Sequence, residues 1–404
     1  MRELPQYRRL WTGQGLNAIS HMMIIAALPY QVFHRTGSTL AVGLLGVVQL
    51  VPLIVFALVG GTYADSVDKR SMLFYCTLAS AGATVLLLAN SLLAEPQVWV
   101  LFVLGAVLSA VSSTSYPANR SLVPRLVPPE LRPSAFALQS TMYSAAMMLG
   151  PAIAGLLIGI SMPWAYGAGV ASFALSLAAF IRIDPAPPTG TAARASLATF
   201  FEGLRFLRGN QIMLSVFGID LLAMVFGMPR ALFPALAERL DGGANLYGLL
   251  HASVAAGAFL VALTSGRWVR IHRQGTAVIV AVAAWGLAIA TAGLVRSAAV
   301  VLVLFAIAGG ADVISNVYRA TISADVVPDD IRGRVNGVEF VVYGGGPALG
   351  DVESGVVGGL VGVPFAIVSG GLVCVVGAAL FAVGVPAFGR YTRPTPAPVL
   401  SADG

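Results

Sequence analysis

Three sets of polar residues stand inside long apolar stretches of this chain at helical spacing. Gln14, Asn17 and His21 fall at i, i+3 and i+7, and Asp312, Asn316 and Arg319 at i, i+4 and i+7. Asn336, Glu339, Tyr343, Gly346, Gly350 and Glu353 carry such a pattern through about five helical turns. Asp220 and Arg230 lie about 15 Å apart along a helix axis and on different faces, so these two cannot meet. The carboxylates of Asp220, Asp312 and Glu339 can take up and release a proton. His21, read as the only histidine in the core of an apolar stretch, has two readings: a proton carrier or substrate contact, or a neutral imidazole bonded to a neighbouring helix. Arg230 either holds an anionic group or extends toward water. Asp312 and Arg319 share a face and are expected in one polar network. Asp351 sits about 100° off the long stripe and reads as a solvated end residue.

Such chemistry needs elements that hold it in an apolar medium. The 404 residues are 57% hydrophobic and 10% charged, against roughly 25% charged in a soluble domain, which excludes a soluble fold of this length. The apolar residues come in runs near 20, the length that spans a ~30 Å hydrocarbon core as a helix. Strand-type alternation is absent, and in lipid the backbone must satisfy its own hydrogen bonds, so the fold is all-α. The spans fall near 10–33, 40–63, 72–94, 97–118, 135–160 and 163–182, then 211–236, 245–270, 275–295, 298–320, 335–360 and 364–388. The basic N-terminus precedes an apolar stretch with no small-residue cleavage site, which reads as an uncleaved first helix. Cys76 and Cys374 each stand alone in an apolar run and read as packing residues.

The net charge of +6 is scattered singly between spans, a topology signal and not a nucleic-acid surface. With the N-terminus in the cytoplasm, 20 of the 24 Lys and Arg fall inside; Arg35, Arg239 and Arg296 fall outside and Arg230 within the seventh span. Both termini are therefore expected in the cytoplasm of a cell-membrane protein. One lysine among 23 arginines, with abundant Ala, Gly and Val, fits a high-GC bacterial genome.

The longest connection, 183–210, starts Pro-rich and continues as an amphipathic stretch, Ser196–Arg208, able to lie on a membrane surface. It separates a six-helix half, 1–182, from another, 211–390, with 391–404 an expected disordered tail. The halves are related. Val127-Pro-Pro-Glu-Leu-Arg132 matches Val327-Pro-Asp-Asp-Ile-Arg332 at an offset of 200, as do Gln139 with Glu339 and Tyr143 with Tyr343. A one-residue slip pairs Arg120 with Arg319, and a downstream shift pairs Gly150-Pro151-Ala152 with Gly346-Pro347-Ala348. Repeated loops on one side of the membrane mean parallel repeats about an axis along the membrane normal.

On these residues the chain resembles the major facilitator superfamily. Gly61-Thr-Tyr-Ala-Asp65-Ser-Val-Asp-Lys69-Arg70 is similar to the family's Gly-x-x-x-Asp-Arg-x-Gly-Arg-Arg signature, with Ser66 where Arg is usual and Asp68 in place of Gly. Gly150-Pro151-Ala-Ile-Ala-Gly155 is similar to an element of export members. Tyr7-Arg-Arg-Leu, Pro29-Tyr-Gln31, Glu202-Gly-Leu-Arg-Phe-Leu, Phe233-Pro-Ala-Leu-Ala, Leu263-Thr-Ser-Gly266 and Gly333-Arg-Val-Asn-Gly337 resemble the siderophore-exporting branch, with macrolide and multidrug exporters as neighbours. The resemblance implies twelve helices in two six-helix repeats, a substrate path between them, and a working monomer. It implies a cytoplasmic gate at Asp65, Lys69 and Arg70; alternatively Lys69 and Arg70 only set topology. Gly150, Pro151, Gly155, Gly346, Pro347 and Gly350 are expected as helix-packing and gating points.

The sole lysine, Lys69, is flanked by Asp68 and Arg70, so there is no phosphate-binding Gly-Lys-Ser/Thr loop. Gly-x-Ser-x-Gly, His-Glu-x-x-His and a repeated pore loop are missing too. The expectation is a secondary transporter, not an enzyme, with no cofactor, drawing on a proton gradient to export a siderophore-like or drug-like small molecule by alternating access. Broad multidrug or macrolide efflux is the alternative, and a transport-inactive membrane sensor the second. The acids favour cations, while Arg230 and Arg319 leave room for an anionic substrate.

Overall fold

The computed structural model describes residues 4–185, 197–264 and 271–392, except the side chains at 57–66, 116, 117, 120, 121, 197–200 and 340. In chain order the helices are α1 (Pro5–Thr36), α2 (Thr39–Ser66), α3 (Lys69–Ser91), α4 (Val98–Leu126), α5 (Arg132–Ile160), α6 (Met162–Phe180), α7 (Leu197–Gly209) and α8 (Gln211–Phe226). They continue as α9 (Phe233–Arg239), α10 (Gly243–Leu263), α11 (Gln274–Leu294), α12 (Ala298–Val326), α13 (Arg332–Val361), α14 (Val363–Gly384) and the short α15 (Pro386–Gly389). Eleven stretches among the described residues are long and apolar enough to cross a membrane, with α8 and α9 forming one of them. The 30-residue α13, with its more polar face, completes twelve.

Local chemistry sets the helix ends. Side-chain oxygens of Ser38, Asp68 and Asn210 accept from the backbone N–H of Ala41, Ser71 and Met213 at 3.2, 2.7 and 3.0 Å. Asp68, one of the two departures from the signature, is thus the N-cap of α3. Pro133, Pro163 and Pro364 occupy first turns, where a missing N–H breaks no helical bond. Gly37, at φ 62°, ends α1 in the left-handed region.

The repeat is visible in the elements. α4 and α12 are each 29 residues long and start at Val98 and Ala298; α5 and α13 start at Arg132 and Arg332. Arg132 donates Nη2 to Pro124 O at 3.0 Å and Nε to Val127 O at 3.3 Å. Arg332 donates to Ala324 O and Val327 O, both at 3.3 Å. The repeated Val-Pro-x-x-x-Arg segment therefore caps the carbonyl end of the preceding helix, where a cation also meets the negative end of the helix dipole. The constant offset of 200 needs no slip here, so Arg319 corresponds to Asn119 and not to Arg120.

The repeats meet along two seams, α2 against α13 and α5 against α10. Both are built where small residues let backbones touch. A β-carbon at Gly155 would stand 2.6 Å from Gly248 Cα, and one at Gly355 would stand 2.6 Å from Thr39 O and 3.0 Å from Gly43 Cα. Thr39 Oγ1 on α2 donates to Gly355 O on α13 at 3.0 Å, and Tyr247 OH on α10 donates to Ala26 O on α1 at 2.7 Å, so hydrogen bonds also join the repeats. Exposure shifts along the same helices. On α5 most positions from 133 to 149 are exposed, whereas Gly150, Pro151, Ala154, Gly155 and Ile158 are buried; on α13 Arg332–Arg334, Asn336 and Gly337 are exposed and burial increases toward the other end. The bundle is sealed at one end and open at the other.

The structure revises several expected spans. The seventh is not one continuous helix. Trp285 Nε1 donates to Gly227 O at 2.8 Å, a β-carbon at Gly227 would stand 2.5 Å from that indole nitrogen, and Pro229 has no N–H to continue the ladder. A 3-10 turn, Arg230–Leu232, restarts the chain as α9. The second and fourth spans extend to Ser66 and Leu126, the last stops at Gly384, and the eighth is helical through Leu263, with 265–270 outside the described residues. The amphipathic linker stretch forms α7, which docks on the start of α13: Glu202 Oε2 pairs with Arg334 Nη1 at 2.9 Å, and a β-carbon at Gly203 would stand 2.6 Å from Arg334 O. Most of the expected tail, 393–404, lies outside the described residues.

Candidate functional site

In the N-terminal repeat three amides among the described residues bond to one another. Gln14 Nε2 donates to Asn119 Oδ1 at 3.0 Å, and Gln139 Nε2 donates to Gln14 Oε1 at 3.0 Å, tying α1, α4 and α5 together. Gln14 is buried, so each amide needs such a partner. Asn17 turns to α3, donating Nδ2 to Thr77 Oγ1 at 3.0 Å. The expected stripe on α1 therefore divides: Gln14 turns to α4 and α5, and Asn17 to α3. His21, two turns beyond Gln14, is half-buried.

The C-terminal repeat answers with charge. Arg319 on α12 and Asp220 on α8 form an ion pair, the two side chains 5% and 9% exposed. Glu339 and Tyr343 on α13 lie within electrostatic reach of the Arg319 guanidinium, whose Nε is buried without a hydrogen-bond partner. The ion-pair partner of Arg319 thus comes from another helix, while Asp312 and Arg319 both act on Tyr343 of α13. Asp312 stands at the midpoint of α12 and is nevertheless exposed. Asn316, one turn on, donates Nδ2 to Tyr343 OH at 3.4 Å, so this face of α12 turns toward α13. The exposed Asp312 and Asn316, with the half-buried Glu339 and Tyr343, face the space that widens toward the open end. Glu353 is half-buried farther along α13.

Arg230 and Asp351 need a correction. Asp351 is no solvated end residue: its Oδ2 accepts from Arg230 Nη2 at 3.0 Å, its side chain 18% exposed. The helical wheel of α13 placed it off the stripe but said nothing of the turn after α8, which brings Arg230 to that side. Both arginines considered as anion holders are thus paired with carboxylates.

Among the residues expected at a gate, Arg70 donates Nη2 to Ile181 O at 2.6 Å and Nε to Phe180 O at 3.3 Å, capping α6 within its own repeat. Lys69 is buried next to it, and the side chain of Asp65 lies outside the described residues. The packing residues are placed symmetrically. A β-carbon at Gly150 would stand 2.5 Å from Met22 Cβ on α1, and one at Gly350 would stand 2.4 Å from Met224 O on α8. Gly346 faces Met224 Sδ, 2.9 Å from its β-carbon position, and Pro151 and Pro347 lie inside α5 and α13. Gly350, and not Gly346, is the structural counterpart of Gly150.

Sequence reasoning passed over His251. It lies inside α10, its ring edge-on to Phe233 at 4.8 Å and to Tyr247 at 5.0 Å, with Nε2 buried and unpartnered. Its position eight residues into an apolar run was the signal available. Asn119 was missed because the slipped alignment put Arg120 in its place.

A family model described as Major Facilitator Superfamily matches residues 10–351. The chain is 27% identical to the Enterobactin exporter EntS of Escherichia coli (strain K12) over 404 residues, 99% of this chain and 96% of that protein. It is 28% identical, with the same coverage, to Enterobactin exporter EntS of Shigella dysenteriae serotype 1 (strain Sd197). Among solved structures it is similar to a bacterial homolog of the human lysosomal transporter Spinster in an inward-facing, unoccupied conformation, with TM-score 0.71 and 16% identity, covering 98% of this chain and 100% of that one. A peptide transporter POT in complex with sulfate matches with TM-score 0.73 and 12% identity, 96% of each chain being covered.

Proposed function

The chain belongs to the Major Facilitator Superfamily, a family of membrane transporters and not of enzymes, and from that premise we propose that it exports a small molecule from the cytoplasm by proton antiport. The observation that carries this reading is the cluster of Asp220, Arg319, Glu339 and Asp312 beside a space open at one end only. The distribution of arginines supports a cytoplasmic open end and cytoplasmic termini. The halves 1–182 and 211–390 rock about the central site, with 183–210 as the linker.

A cytoplasmic substrate enters between α5, α12 and α13, meeting Gln139, Tyr343, Asn316 and Asp312. Arg319 has two carboxylates within reach, Asp220 and Glu339. A proton that neutralises Asp220 frees the guanidinium for Glu339, which changes the counter-charge facing the substrate. Binding and proton uptake then compete for one electrostatic switch. The named relatives are enterobactin exporters, which supports a siderophore-like cargo. A specific observation supports the second reading, efflux of lipophilic cations: Arg230 and Arg319 are both paired with carboxylates, while Asp312 faces the space with no basic partner among the described residues.

In proteoliposomes, export should rise with an imposed pH gradient, and at least one of Asp220→Asn, Asp312→Asn and Glu339→Gln should abolish that dependence. Three active, gradient-dependent variants would sink the coupling assignment.

A further inference from the structure

At the sealed end, the carboxylate of Asp351 is wedged between the two repeats. Its Oδ2 accepts from Arg230 Nη2 at 3.0 Å, while on the facing side a β-carbon at Gly46 of α2 would stand 3.2 Å from Asp351 Cβ and 3.6 Å from Oδ2. One turn away, a β-carbon at Gly43 would stand 2.6 Å from Asp351 O. Two glycines of the N-terminal repeat thus form a notch that receives an ion pair of the C-terminal repeat. The backbone of Ala231 also lies against the carboxylate, yet Asp351 Oδ1 and Arg230 Nε are buried without hydrogen-bond partners. With His251 Nε2, these are three of the five such atoms among the described residues. Unmet bonding capacity of this kind destabilises the closed arrangement and is relieved when water reaches it.

We propose that Asp351 is a proton-binding site at the outer seam, distinct from the carboxylates of the central space, and that its pairing with Arg230 in the α2 notch latches the sealed end shut. A proton on Asp351 cancels the attraction to Arg230 and frees α13 to leave α2; loss of the proton to the outside restores the pair and reseals the end. Few other groups compete. The described part of α2, 39–56, has no titratable side chain. Arg230 comes from the turn after α8 and Tyr247 and His251 from α10, with Tyr30 and His34 on α1 and Glu238 and Arg239 on α9 beyond them, and Glu353 on α13 itself. This inference rests on the alternating-access reading and adds to it a residue that senses the outside.

The test is a distance across the seam. In full-length protein with Cys76→Ala and Cys374→Ala, spin labels at Leu40→Cys on α2 and Leu360→Cys on α13 occupy exposed positions. Double electron–electron resonance in lipid nanodiscs at pH 8 and pH 5 should show a longer-distance population growing at low pH. Asp351→Asn should hold that population at both pH values, Asp351→Glu should restore the pH response, and Glu238→Gln should keep it. A merely structural role would lower Tm in Asp351→Asn while leaving the pH response intact, and that result overturns the proposal. A seam that opens with substrate but ignores pH also overturns it while sparing alternating access. A seam that never opens overturns both.

Discussion

The two repeats set equivalent positions to opposite uses. Asn119, Gln14 and Gln139 form a chain of amides across α4, α1 and α5, and at an offset of 200 Asn119 and Gln139 become Arg319 and Glu339, joined by Asp220. Amides satisfy one another and have no protonation state to change, so the N-terminal cluster holds its helices in one arrangement. The C-terminal cluster gives one guanidinium two carboxylates, and its preferred pairing depends on where the protons are. On the proposed function, one architecture therefore serves as a fixed wall and as a switch.

The largest expected effect separates these roles. Arg319→Gln leaves Asp220 buried without its cation, a loss of about 3–5 kcal/mol for breaking a buried pair. Tm should fall steeply and gradient-driven export should cease. Asn119→Ala, at the equivalent place, leaves Gln14 short of one partner and should cost only about 1–3 kcal/mol, with slower export that still follows the pH gradient. Thermal unfolding and proteoliposome transport read both. Loss of gradient dependence in Asn119→Ala would erase the distinction between wall and switch.

The seams give a smaller effect and ask whether the repeats are mechanically alike. Gly155→Ala and Gly355→Ala each push a methyl group to about 2.6 Å from the backbone of the opposite repeat, an overpacking cost of about 1–3 kcal/mol. Both should weaken the sealed end, read as greater labelling by an impermeant thiol reagent at a cysteine placed at Thr39 or Asn245. An effect confined to Gly355→Ala would mean that the α2–α13 seam alone, with its ion pair, closes that end.

How much of this was legible in the sequence depends on the distance over which each feature is encoded. The twelve spans and the repeat were, because hydrophobic run length and a six-residue loop segment are local and duplicated. The Arg319–Asp220 pair was not: its members lie on helices whose relative rotation no single wheel supplies. For the same reason Asp351, judged against the stripe of its own helix, was assigned to water when its partner stood on another segment. The break after Phe226 did have a local signal, Gly227 and Pro229 either side of one methionine, and a hydropathy window smooths over it. The symmetric roles of Gly150 and Gly350 emerged only from the atoms they touch, since the nearby Gly-Pro-Ala triplets offered a more conspicuous and shifted alignment.

The smallest effect tests the repeat where it is most alike. Arg132 and Arg332 cap the carbonyl ends of α4 and α12 through equivalent bonds, and Arg332 also pairs with Asp329 at 2.7 Å. That pair is largely exposed, with side chains 47% and 88% accessible, so solvent screening leaves it little to contribute. The cap itself is worth about 0.3–1 kcal/mol for a cation at a helix carbonyl end. Arg132→Ala and Arg332→Ala should therefore lower Tm slightly and by the same amount, with export unchanged in its dependence on the gradient. If Arg332→Ala were much the more damaging, its cap would have a second duty in the switching repeat. The adjacent Arg334–Glu202 contact to the linker helix would then be the place to look, because it ties the same end of α13 to the segment joining the halves.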